Sequence, residues 1–369
     1  VLVPVLAAAL FGYSWSRPKP APVTTVAAIG SPTLTPATSL PPPPAARPAA
    51  IRPAAGKWKP PARKAPSSTD GRAGGSGGTP AGGSGCPLFP ANNVWHARVD
   101  QLPVLAASAS YVASIGASQH LHPDFGSGSI DGQPFGIPIT EVPAGQPGVR
   151  VTFDYDDESD AGPYPLAPNA RIEGGPASDG DRHVILHDAA NCRLYELFAA
   201  RRTGSSWTAQ SGAIWNLRSN TLRPAGWTSA DAAGLPIMAG LVRYEEVATG
   251  RIDHAIRITV PRSRDSYQWP ARHAAGSSGA SLPPMGLRLR LKASVNVAGL
   301  PAQARVIATA MKTYGVVVAD NGSAWYLTGT EDNRWNNDAL DALKGLTGSQ
   351  FEAVDTAGLM ASPNSGAVR

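Results

Sequence analysis

Several acids and imidazoles fall beside alternating, strand-forming runs. Glu173 follows Arg171-Ile172 and precedes Gly174-Gly175; Asp181 and His183 open one apolar run, and Asp253 and His254 open another. Strand ends opening on one concave sheet face bring carboxylates and an imidazole together, which is the equipment of general acid/base chemistry. Glycoside hydrolysis needs one carboxyl protonated to assist the leaving group and one ionised to attack or to activate water. It therefore requires two of Glu173, Asp181, Asp253 and Asp320 within about 10 Å of each other in a cleft. Glu173 and Asp253 are the favoured acid and base, with Asp181 and His183 as orienting or alternative groups. Trp325 and Trp335 are read as stacking platforms for sugar rings, and Arg288, Arg290 and Lys292 as a basic stripe able to meet uronate or phosphate groups. A polysaccharide lyase is an alternative, in which His183 or His254 takes the proton and Arg288 or Arg290 neutralises a uronate. A non-catalytic polysaccharide-binding module is another, needing only the aromatic groove. Each residue also has a structural role open to it: Asp181 and Asp253 as partners of Arg182 and Arg251, the tryptophans as core, the stripe as a solvated sheet face.

Other patterns carry less. Asp154-Tyr-Asp-Asp-Glu-Ser-Asp160 packs five carboxylates into seven residues, a candidate Ca²⁺ loop by its hard oxygen ligands, although it lacks the distal Glu and spacing of an EF-hand. A solvated acidic loop is the preferred reading, and no cofactor or metal is assigned. His120-Leu-His-Pro-Asp124 has a spacing that some divalent metal sites use, but it needs a third, remote ligand. No Gly-x-Ser-x-Gly, Walker or kinase signature occurs. The two cysteines, Cys86 and Cys192, have no zinc-type spacing; in an oxidising compartment they would pair.

The elements that position these groups occupy only part of the chain. Residues 1–85 hold 16 Pro, 11 Gly, nine Lys/Arg and a single acid, Asp70, whereas residues 86–369 carry 23 basic against 26 acidic side chains. The net charge of +5 is thus a tail of +8 and a remainder of −3, so the overall basicity gives no warrant for nucleic-acid binding. Residues 1–16 read as an export signal or anchor, shorter than the roughly 20 residues of a membrane span. Residues 17–85, Pro/Ala-rich and then Gly/Ser-rich, read as a stiff spacer ending in a swivel. The expected protein is secreted or tethered to the cell envelope, monomeric, in contact with a membrane only through its N-terminal segment, and directed at extracellular or cell-wall polysaccharide.

From Cys86 to Arg369, short apolar segments separated by Gly, Pro and Asp/Ser clusters predict one large, mainly β domain of β-sandwich or jelly-roll type with a few accessory helices. Strands are expected at Leu287–Lys292, Ala255–Val260, His183–His187 and Leu194–Phe198, the last two joined by the turn from Asp188 to Cys192. Asn321-Gly322 predicts a type I′ hairpin between Val316 and Thr328. Pro301–Tyr314 predicts a helix terminated by Gly315, and capping residues predict short helices at Ala230–Ala233 and Asp338–Lys344.

Seven segments carry a resemblance: Cys86-Pro-Leu-Phe-Pro-Ala-Asn-Asn-Val-Trp95, His122-Pro-Asp-Phe-Gly126, Glu158-Ser-Asp160 with Gly162-Pro-Tyr-Pro165, Gly180-Asp-Arg-His183, Trp227 to Pro236, Pro283-Pro-Met-Gly286 and Ala319-Asp-Asn-Gly-Ser323. Together and in this order they resemble a family of secreted bacterial, actinomycete-type β-rich proteins. The resemblance implies export and one domain rather than two; it brings no activity, cofactor or catalytic residue with it.

Overall fold

The computed structural model describes residues 86–130 and 133–369, so the expected export segment and stalk lie outside the described residues. The described part belongs to one unit of the chain, Gly74–Arg369. Strands predominate. In chain order the elements are α1 (Ser108–Ile115), β1 (His122–Asp124), β2 (Ile139–Glu141), β3 (Val151–Phe153), β4 (Val184–Asp188), β5 (Arg193–Phe198), β6 (Arg201–Thr203), β7 (Ser206–Ala209), β8 (Ser211–Asn216), α2 (Tyr244–Thr249), β9 (Ile256–Val260), β10 (Arg288–Leu291), α3 (Ala302–Thr313), β11 (Val316–Asn321), β12 (Tyr326–Thr328), α4 (Asn337–Asp341) and β13 (Phe351–Ala353). Two further two-stranded ribbons complete the strands.

A six-stranded sheet has the order β1-β12-β9-β11-β10-β13, a four-stranded sheet the order β8-β5-β4-β2, and a three-stranded sheet the order β3-β7-β6. Residues of the two larger sheets share the main apolar core: Ile256, Ile258, Val260, Val316 and Val318 from one, Ile185, Leu194, Ala213 and Trp215 from the other. Val184, Leu186 and Leu197 turn to a second core with Val151, Trp207 and Ala209 of the three-stranded sheet. β4 is therefore buried on both faces, which is why His183–His187 reads as a nearly continuous apolar run.

The predicted pair β4 and β5 forms as expected, antiparallel, with Asp188 opposite Arg193. Cys86 and Cys192 are joined in a disulfide. α3 begins after Pro301 and ends at Tyr314, with Ala304, Ile307 and Met311 buried and Gly315 at φ 73° beyond it. The helix expected at Asp338–Lys344 is capped by Asn336 and tightens into a 3-10 turn at Ala342–Gly345.

Two local predictions fail. Ala230–Ala233 is a turn, not a helix: the Ser229 hydroxyl accepts the Asp231 N–H at 2.9 Å, and Gly234 at φ 67° reverses the chain. The Asn321-Gly322 hairpin does not form either. β9 lies between the two runs, parallel to β11 and antiparallel to β12, so the connection crosses the end of β9, where the Gly322 N–H donates to the Val260 carbonyl at 2.8 Å. Neither Asn321 nor Gly322 has the positive φ that a type I′ turn requires; Trp325 does, at 58°.

The parallel pair β9/β11 contains a bulge. Ile258 faces Val318, but Thr259 faces Asp320, leaving Ala319 as the extra residue. Side chains alternate along a strand, so an unbroken register would send Asp320 to the apolar face with Val316 and Val318. The bulge turns it instead to the face of Arg257 and Thr259.

Among the described residues no helix is long and apolar enough to cross a membrane.

Candidate active site

The face carrying Arg257 and Asp320 is where the polar groups gather. Arg257, on β9, is 3% exposed, and its guanidinium is held as a fork: Nε donates to Asp231 Oδ2 at 3.0 Å, Nη2 to Asp231 Oδ1 at 2.7 Å, and Nη1 to Thr328 Oγ1 at 3.1 Å. The turn that replaced the predicted helix at Ala230–Ala233 delivers Asp231, whose side chain is fully buried. Asp320 Oδ2 lies 3.8 Å from the same Nη2, and its side chain is 23% exposed.

Glu173 and His183 arrive from the chain leading into β4. The Glu173 N–H donates to the His183 carbonyl at 2.9 Å, and the His183 N–H returns a bond to Glu173 Oε2 at 3.3 Å. Gly174 and Gly175, at φ 66° and 86°, turn the chain away immediately afterwards. The His183 ring is 2.6 Å from Glu173 Oε2 through Nδ1 and 3.2 Å from the Ala230 carbonyl through Nε2. Both partners are acceptors, so a ring that satisfies both carries both protons and is an imidazolium.

The proton affinities follow from these placements. Burial works against a charged His183, but the adjacent Glu173 carboxylate outweighs it and raises the imidazole to about 9. Burial likewise opposes ionised Glu173, and His183 outweighs it, holding Glu173 below its usual range. Asp320 goes the other way: burial first, and then the Asp231 carboxylate, push it well above the ordinary range. Asp124, at the end of β1, is raised by desolvation and then by Glu173 and Asp181, while Arg257 opposes. Asp181, exposed at the approach to β4, acts on His183 and on Asp320. The Arg257 guanidinium feels Asp231, Asp320 and Glu173 together. Beside the cluster, His122 and Tyr326 stack at 4.1 Å with both rings partly exposed.

Of the residues expected from the sequence, Glu173, Asp181, His183 and Asp320 thus come together. Asp253 does not: it precedes β9, at the opposite end of that strand from Asp320's partner Thr259, where it pairs with Arg251 at 2.6 Å and accepts from the Tyr314 hydroxyl at 3.3 Å. His254 is 2% exposed and shares its Nε2 with Glu246 at 3.1 Å, away from this group. Trp325 is fully buried, stacked on Phe351 at 4.9 Å and donating to the Gly116 carbonyl. Trp335 is buried between Phe125 and Tyr244. Neither indole offers a face to a sugar. The basic stripe is covered as well, because the chain from Val94 to Leu102 crosses it: Arg288 donates to the Val94 carbonyl, and Arg290 to those of Val99 and Leu102 and to Glu352.

In the acidic loop, Asp160 pairs with Arg223, and Glu158 accepts from the Thr228 N–H, leaving Asp154, Asp156 and Asp157 in solvent. Among the described residues no group of three or more His, Cys, Asp or Glu is placed to hold a metal ion. His120 turns to the Lys344 carbonyl, separate from the His122–Tyr326 stack. A cavity of ≈ 590 Å³ lined by Lys292, Asn296, Leu300, Leu346 and Gln350, among others, shares no residue with the cluster and has no carboxylate or imidazole in its wall.

Sequence reasoning missed Asp231 and Arg257. A signal existed for the second: an arginine between Ile256 and Ile258, at an interior strand position, must find a buried acidic partner. Nothing local marks Asp231 as that partner. No family model, curated protein or solved structure matches this chain.

Proposed function

We propose that this protein is a glycan-cleaving enzyme of the glycoside hydrolase type, in which Asp320 donates a proton to the glycosidic oxygen and ionised Glu173 attacks the anomeric carbon or activates water. The observation that carries this reading is that two carboxyl groups around one guanidinium have been driven in opposite directions, Asp320 towards its protonated form and Glu173 towards its ionised form. Such a divergence distinguishes acid from base where two carboxyls share a site. Asp320 replaces Asp253 in the carboxyl pair and the roles shift, with Glu173, expected as the acid, now the base. The partly exposed rings of His122 and Tyr326 supply the stacking surface in place of the buried tryptophans.

The setting proposed is extracytoplasmic: a sandwich-like domain, with the two larger sheets as its layers, carried on the Pro-rich stalk as a monomer facing extracellular or cell-wall polysaccharide. The disulfide suits an oxidising compartment.

Reducing-sugar release on a panel of cell-wall and plant glycans tests the reading. Glu173→Gln and Asp320→Asn each lose about 10²–10⁴-fold of the rate, whereas Asp253→Asn keeps it. Equal rates in all four proteins would remove the assignment. Binding without cleavage in the unaltered protein would favour the non-catalytic module.

A further inference from the structure

The acid proposed above needs a device that keeps it protonated in the presence of an arginine, which would ordinarily strip its proton. We propose that Asp231 is that device: a positioning residue which, by locking the Arg257 guanidinium in a fork, withholds its hydrogens from Asp320 and keeps Asp320 a proton donor. The inference rests on the reading of Asp320 as the acid.

The geometry supplies each step. Three of the five N–H hydrogens of Arg257, one each on Nε, Nη1 and Nη2, are engaged by Asp231 and Thr328 at 2.7 to 3.1 Å, which fixes the orientation of the guanidinium. At 3.8 Å the remaining approach, from Nη2 to Asp320 Oδ2, is longer than a hydrogen bond. Asp320 Oδ1 accepts its own neighbour's N–H, from Asn321, at 2.7 Å. Arg257 and Asp231 largely cancel each other's charge, so Asp320 sits beside a neutral pair rather than a free cation. The other charged groups acting on it are Asp181, which favours the proton, and His183, which opposes it. The bulge at Ala319 completes the arrangement by presenting Asp320 to this pair at all.

Asp231 touches no substrate in this scheme, so the test reads the Asp320 proton directly. Carboxyl ¹³C NMR on aspartate-labelled full-length protein gives a titration for Asp320, assigned by the signal that disappears in Asp320→Asn. The proposal expects that signal to be protonated at neutral pH. In Asp231→Asn, where one negative charge is gone and the guanidinium is released towards Asp320, the transition moves to lower pH by at least about one unit, a tenfold loss of proton affinity. Asp231→Glu, which keeps the charge, restores most of the shift. An unmoved transition in Asp231→Asn overturns the proposal. If that variant does not fold, the wild type still decides: a protonated signal that persists in Asp320→Asn, or an Asp320 already ionised at neutral pH, overturns it equally. Because none of these measurements uses a glycan, the result stands apart from whether the protein cleaves one.

Discussion

Glu173 and Asp320 differ in their neighbours more than in their chemistry. One faces an imidazolium, the other a carboxylate across a guanidinium that is already taken. The rate should accordingly be bell-shaped in pH. Asp320 must be protonated, and its affinity is raised, so activity falls as pH climbs through that raised value. Glu173 must be ionised, and its affinity is lowered, so activity survives mild acid and falls only below the ordinary carboxylate range; a profile of rate against pH checks both limbs. His183 makes a separate statement about stability. Its imidazole rises from 6.5 to about 9 on folding, so the ion pair stabilises the fold fully below pH 6.5 and the contribution is lost as pH rises through 9. Urea unfolding at pH 6 and pH 9 should show this decline in the wild type and a weaker one in His183→Gln. At this scale the sequence was readable where a charged side chain adjoins an apolar run, as at Glu173 and His183. It was unreadable for Trp325 and Trp335, since an indole looks the same in sequence whether it ends in a core or on a surface.

Elements decide which of these residues meet. The strand runs were legible because alternation is local, and α3 was legible because its apolar spacing and its terminator lie within fifteen residues. The pairing of β9 between β11 and β12 was not, since nothing in Asn321-Gly322 reports that a strand sixty residues earlier inserts there. The bulge is of the same kind: it depends on β9, and it changes the face on which a proposed catalytic acid appears. Deleting Ala319 removes the extra residue and leaves Asp320 directly after Val318, still opposite Thr259 and on the Arg257 face, so glycan cleavage should survive the deletion while Asp320→Asn abolishes it; reducing-sugar release from the two variants checks this. A second element-level hinge is Glu196 of β5, fully buried and pushed up to about 7 by burial. It accepts the N–H groups of Ile237 and Met238 and the Trp215 indole, fastening the chain before α2 to the four-stranded sheet. Glu196→Gln replaces one acceptor oxygen with an amide NH₂ and strands a buried donor, so it should cost about 1–3 kcal/mol in denaturant unfolding.

For the molecule as a whole, charge and covalent connection matter more than any single bond. Residues 86–369 carry a small excess of acid while residues 1–85 hold nine basic side chains against one acid, so the basic pI of about 9.3 does not describe the fold. The disulfide closes a loop of 106 residues, and replacing both cysteines with serine should lower stability by roughly 4 kcal/mol in the chain-entropy account, measured as a shift in the denaturant midpoint.

The same bridge also sets how the fold bears a load. A pull on the chain ahead of Cys86 passes through sulfur to Cys192, at the turn between β4 and β5, and so grips the middle of the four-stranded sheet. The intervening stretch, which carries Asp124, Glu173, Asp181 and His183 and includes β2 and β4, is bypassed by the bridge. A load entering at Cys86 would therefore reach the start of β5 before it reached the loops that hold these groups.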